Sequence, residues 1–176
     1  GLRQASTGLP LGLGVAVAVL IADQLAKRLA IEMLDPYQPV ALLPVLNLTL
    51  AFNPGAAFSL LADEGGWQRW ALAAVALAVS AYLVHWLKTL PAVDRLQAVG
   101  LGGILGGALG NMVDRLWLGA VVDFIDLHVA GWHWPAFNVA DSAITVGVGA
   151  VIVCVLRIID ASDGLSAEVW STASGH

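Results

Sequence analysis

Four stretches of nearly uninterrupted apolar sequence, at about 9–29, 67–87, 96–113 and 139–159, dominate this chain. Each is close to the roughly 20 residues that cross about 30 Å of hydrocarbon as a helix. Only 12% of the residues are charged, about half the share usual in a soluble domain. The expected fold is therefore an all-α membrane bundle of four transmembrane helices in a single domain spanning 1–176. Ala16-Val17-Ala18 has the form of a signal-cleavage site but lies inside the first apolar run, so that run reads as an uncleaved helix. The third span carries Gly102, Gly103, Gly106, Gly107 and Gly110, a small-xxx-small pattern that lets neighbouring helices approach closely.

With four alternating spans, the long segments 30–66 and 114–138 share one face, and the short segment 88–95 lies on the other. Leu46-Asn47-Leu48-Thr49-Leu50-Ala51-Phe52-Asn53 alternates as a strand does, so a small extramembrane β-sheet is expected on the long-segment face, over about 38–60. Trp132, His133 and Trp134 around Gly131 form a second short extended candidate. The tail 160–176, with Ser, Gly and acidic residues, reads as mobile. Lys and Arg counts are equal on the two faces and leave the orientation open. The formal charge of -5, with cations scattered singly, excludes a nucleic-acid surface.

The unusual polar residues gather on the same face: Asp23, Lys27, Asn53, Asn111, Asp114, Arg115, Asp123 and Asp141. An acid at the edge of hydrocarbon is costly and marks function by default. Two carboxylates brought together there raise one pKa and share a proton. The ionised member then takes a proton from water while the protonated member hydrogen-bonds a scissile carbonyl. Asn138 is a good N-cap for the fourth span and Asp141 falls three residues on, in the first helical turn, where the helix dipole favours a carboxylate. Asp141 is thus the more easily ionised of the two. A cap alone also explains Asp141, and a local i,i+4 ion pair explains Asp23 and Lys27. Arg115 has Asp114, the loops or a bound group as possible partners. Asn53-Pro54-Gly55-Ala56 first signals a turn. Asp123, Asp126, His128 and His133 match no zinc spacing, so neither metal nor cofactor is expected. A small proton-coupled transporter or channel subunit is the alternative reading of two membrane-edge acids.

The ordered motifs Asp23-Gln24-Leu25-Ala26-Lys27, Phe52-Asn53-Pro54-Gly55-Ala56-Ala57-Phe58, Gly106-Gly107-Ala108-Leu109-Gly110-Asn111-Met112-Val113-Asp114-Arg115, Val121-Val122-Asp123-Phe124 and Phe137-Asn138-Val139-Ala140-Asp141 closely resemble bacterial lipoprotein signal peptidases, the signal peptidase II family. That resemblance covers almost the whole chain. It implies an aspartyl endopeptidase of the bacterial inner membrane with both termini cytoplasmic and the site near the periplasmic face. It further implies a diacylglyceryl prolipoprotein substrate cut just before its lipidated cysteine, contact with membrane lipid, and inhibition by globomycin. By position, Asp123 and Asp141 are the implied catalytic pair. Asp23, Lys27, Asn53, Gly55, Ala56, Gly107, Asn111, Arg115, Phe137, Asn138 and Ala140 are the implied support or substrate-binding positions. Pro54 and the acidic tail depart from the family pattern, and neither touches the acid pair.

Overall fold

The computed structural model describes residues 7–55 and 66–173, with side chains described as far as residue 162. Its elements run α1 (Leu9–Met33), β1 (Val40–Leu43), β2 (Leu46–Asn53), α2 (Trp67–Thr89), α3 (Arg95–Leu118), β3 (Val121–Val129), β4 (Trp132–His133) and α4 (Val139–Ala173). All four helices are long and apolar enough to cross a membrane. The helices outrun the apolar spans because backbone hydrogen bonding continues into polar flanks that hydropathy excludes. This matters most in α3, which ends at Leu118 with Gly119 in the left-handed conformation as its cap. Asp114 and Arg115, placed by sequence at the start of a loop, therefore sit in the last turns of a helix. Likewise, the segment expected as a mobile tail is helical to Ala173, since its Ser, Asp and Gly interrupt hydropathy without breaking the helix.

The central helix is α3, with 61% of its most apolar window buried against 6% for α4. The glycines create this difference. A Cβ on Gly106 would stand 2.5 Å from the Ala16 carbonyl oxygen of α1, and one on Gly107 would stand 2.5 Å from the Ala140 carbonyl oxygen of α4. Backbone-to-backbone packing on two sides supplies dispersion contacts that lipid does not replace. At the opposite end of the bundle, the Gly8 amide donates to the Leu90 carbonyl at 2.8 Å, beside a cluster of Leu83, Leu87, Leu101 and Leu105. We expect Gly106→Val to force α1 away from α3 at a cost of about 1–3 kcal/mol. A fall in the thermal unfolding midpoint in detergent, larger than that of a valine at Gly149, where a Cβ meets nothing within 4 Å, checks this.

Above the bundle lies one antiparallel sheet in the order β1-β2-β3-β4. The sequence reading found β2 and the Trp132–His133 piece but not β3, the strand that carries Asp123. Its partner across the sheet is Ala51 of β2, and the register slips between Leu48 and Ala51. Such a bulge adds twist and re-aims the side chains beside it. Ala130 and Gly131, both at positive φ, make the two-residue turn that returns β3 to β4. The sheet packs on the bundle through Ala30, Leu50 and Val122, so β3 is seated directly over the ends of α1 and α3.

Candidate active site

The first turn of α4 is the point on which the other elements converge. Its N-cap is Asn138, completely buried. The Asn138 side-chain oxygen accepts the Asp141 amide at 2.9 Å, and the Asp141 carboxylate accepts the Asn138 amide at 3.2 Å. This is the reciprocal capping box the sequence spacing predicts. The intervening amide of Ala140 donates to Asp23 of α1 at 2.8 Å. Three amide donors at the helix start are thus satisfied, two of them by carboxylates that the dipole also favours. Gly110 makes the reach of Asp23 possible: a Cβ there would lie 2.5 Å from its carboxylate.

Asp23 forms more than the local pair. It lies 2.8 Å from Lys27, and Lys27 also lies 2.7 Å from Asp114 and donates to the Asn111 side-chain oxygen at 2.9 Å. All three ammonium hydrogens are therefore engaged. Asp114 in turn accepts the amide of Val122 at 3.1 Å and a side-chain N–H of Gln24 at 2.9 Å. Asp114 was placed by sequence on the site face without a role of its own beyond partnering Arg115, and Gln24 only within a motif; both are structural members of the site. Arg115 does not pair with Asp114 among the described residues, but donates to the Asn111 carbonyl at 3.2 Å. Adjacent helix residues diverge in direction, which is why the two part company.

The orientation of two amides follows from this network. Lys27 only donates, so the Asn111 oxygen must face it and the Asn111 NH₂ faces Asp141, at 2.8 Å. Similarly, the Asn138 oxygen is taken by the Asp141 amide, which turns its NH₂ towards Asp123 at 2.9 Å and the Val122 carbonyl at 3.1 Å. Each acid of the pair is consequently held by a side-chain amide of this network. Asn53, at the end of β2, also hydrogen-bonds Asp123, and its side-chain oxygen accepts the Gly55 amide at 2.9 Å. The Gly55 φ of 121° explains a glycine there. Phe137 clamps the chain entering α4 onto β3, accepting the amides of Phe124 and Ile125 and donating to the Ile125 carbonyl at 3.1 Å. Gly107 and Ala140 provide the close contact of α3 with α4; Ala140 is fully buried. Ala56 lies outside the described residues.

Among the described residues, Asp23, Asp114, Asp123 and Asp141 meet only Lys27 and Arg115 as cations, which leaves acids in surplus at the site. Burial, and then the proximity of Asp141, push the Asp123 carboxyl up to about 6, against the opposing hydrogen bonds from Asn53 and Asn138 and the charge of Lys27. Burial and a neighbouring acid are the two influences that raise one member of a carboxylate pair. Further out on the sheet, Asp126 takes His133 at 2.8 Å and Asn47 at 3.0 Å. Burial opposes ionisation of Asp126, but these partners hold its carboxyl below the ordinary value. Among the described residues, no three His, Cys, Asp or Glu side chains are grouped to hold a metal.

A multi-pass helical membrane protein with an amide-clamped carboxylate pair at one end of its spans has the makings of an aspartyl hydrolase working at the membrane edge. Residues 15–157 match the family model described as Signal peptidase (SPase) II. The chain belongs to that family. It is 52% identical over 140 residues to the lipoprotein signal peptidase of Polynucleobacter necessarius subsp. necessarius strain STIR1, covering 80% of this chain and 85% of the relative. Against the lipoprotein signal peptidase of Teredinibacter turnerae it is 48% identical, covering 79% and 83%. A bacterial membrane enzyme solved by the in meso method at 1.9 Å superposes with a TM-score of 0.74 at 29% identity, covering 88% of this chain and 99% of that one. The chain is accordingly a membrane protease, and the transporter reading falls away.

Proposed function

We propose that this protein removes the signal peptide from diacylglyceryl-modified prolipoproteins, cutting just before the lipid-bearing cysteine, with Asp123 and Asp141 as the catalytic pair. The observation that carries this reading is the amide clamp: Asn138 on Asp123 and Asn111 on Asp141, with the Asp123 carboxyl raised to about 6. Ionised Asp141 takes a proton from water as the oxygen attacks the carbonyl carbon of the residue before the cysteine. Protonated Asp123 hydrogen-bonds the carbonyl oxygen and stabilises the charge that develops on it. When the tetrahedral species collapses, the C–N bond breaks and the new amine receives the proton held by Asp141. Both carboxyls end as they began.

The lipid supports the same placement. The two acyl chains remain in the bilayer while the peptide crosses the end of the bundle, so the lipid need not be dragged into water. Residues 46–53 act as a clamp for the extended peptide. The protein resides in the bacterial inner membrane with both termini cytoplasmic and the site near the periplasmic face, and globomycin occupies that site. Purified protein incubated with diacylglyceryl prolipoprotein and with its unlipidated form tests the proposal: cleavage of the first, blocked by globomycin, is expected. Equal cleavage of both would remove the lipid from the recognition. The pH profile is a further test, since the reaction needs one proton on the pair. With Asp123 near 6 in the free enzyme, kcat/KM should decline as pH rises beyond about 6, tending towards tenfold per unit.

A further inference from the structure

A cavity of about 490 Å³ opens between the site-side ends of α1 and α3. Its floor is the Lys27–Asp114 pair with Gln24, and its walls include Ile31, Val113, Trp117 and Leu118. The floor offers no charge to a ligand. Lys27 has spent its three hydrogens, and Asp114 accepts from Lys27, Gln24 and Val122. The rim differs. Arg28 lines the cavity, is exposed, and enters no ion pair among the described residues. Beside it, Trp117 is 86% exposed, with Ile31 at 42% and Leu118 at 46%. Both walls belong to helices long and apolar enough to cross a membrane, and their exposed apolar side chains suit contact with lipid.

We infer that the α1–α3 groove is a binding site for a glycerophospholipid, its phosphate on Arg28 and an acyl chain lying along Ile31, Val113, Trp117 and Leu118. The charge complementarity suits a phosphate, which a guanidinium binds through paired hydrogen bonds. Trp117 suits the depth at which headgroup meets chain. A neutral diacylglyceryl group offers Arg28 no anion, which separates this site from the substrate's own lipid. Because Val122 also lines the cavity and precedes Asp123, a seated lipid packs against the root of the catalytic strand. The inference uses none of the catalytic groups and stands whether or not the peptidase reading does.

The test is native mass spectrometry of the full chain released from nanodiscs containing phosphatidylglycerol, in parallel with Arg28→Ala, Arg28→Lys and Trp117→Ala. One retained phospholipid is expected for the unaltered protein, with retention reduced at least tenfold in Arg28→Ala, less in Trp117→Ala, and restored only in part in Arg28→Lys, which keeps the charge but not the paired hydrogen bonds. Equal retention in Arg28→Ala would overturn the site, as would equal retention of diacylglycerol, which has no phosphate. Inorganic phosphate that raises the thermal midpoint as much as phosphatidylglycerol would reduce it to a simple anion contact and overturn the lipid assignment. Independently of the variants, a phosphatidylglycerol carrying a photoreactive acyl chain should label the unaltered protein within 31 and 113–118. Labelling confined to other segments would also overturn it.

Discussion

Asp123→Asn and Asp141→Asn should each lower single-turnover cleavage by about 10²- to 10⁴-fold, the scale on which positioned acid–base groups act. The informative comparison is with stability. In the folded protein Asp123 binds its proton up to about pH 6, whereas an unfolded Asp titrates near 3.9. Between those values the folded state holds more protons, so stability falls as pH rises through the window. An asparagine removes that loss. Two units would correspond to ~2.7 kcal/mol at most, and solvent screening on the open side of the site brings the expected gain to ~1 kcal/mol. Asp123→Asn should therefore be inactive and yet unfold at a higher temperature than the unaltered protein at pH 7.5, with the advantage gone at pH 4. Asp141→Asn forfeits half of the capping box and should gain no such advantage. Turnover retained in either variant would dismiss the pair as catalysts; a destabilised Asp123→Asn would instead show that this acid mainly holds the fold.

The second large effect belongs to Lys27→Met. The lysine is 2% exposed and sits between Asp23, which is fully buried, and Asp114, at 3%. Removing it leaves two carboxylates facing each other without a cation, and breaking a buried pair in this way costs about 3–5 kcal/mol. The damage should spread along the hydrogen bonds: Asn111 loses the donor that fixes its orientation, and Asp141 loses its aligned amide. We expect a lower unfolding midpoint in detergent together with a cleavage loss comparable to that of Asn111→Ala. Adding Asp114→Asn to Lys27→Met should recover part of the stability, since it deletes one of the stranded charges. No recovery in the double variant would mean that Lys27 acts through the space it fills.

The spans were legible because hydropathy is a local property and lipid enforces it residue by residue. Asn138 and Asp141 were legible for a similar reason, since a capping box is written within four consecutive positions. Lys27 was half legible. Its i,i+4 partner Asp23 follows from helix geometry, whereas Asp114 is 87 residues further along and meets it only because glycines bring α1 and α3 together. β3 escaped because its apolar residues are interrupted by Asp123 and Asp126, and its pairing with β2 joins segments separated by a whole helical hairpin. Arg115 was offered its sequence neighbour Asp114 as one partner, although adjacent residues on a helix point in different directions. The Lys27–Asp114 contact and the β2–β3 pairing were concealed because each joins segments distant in the chain.

The site at the first turn of α4 draws on five elements scattered along the chain: Asp23 from α1, Asn53 from β2, Asn111 from α3, Asp123 from β3 and Asn138 at its own cap. Each helix can enter the bilayer by itself, but none carries a working pair when it does. Under the proposed mechanism, then, a chain has nothing to cut with until its last segment docks, and competence arrives in the same event that completes the fold.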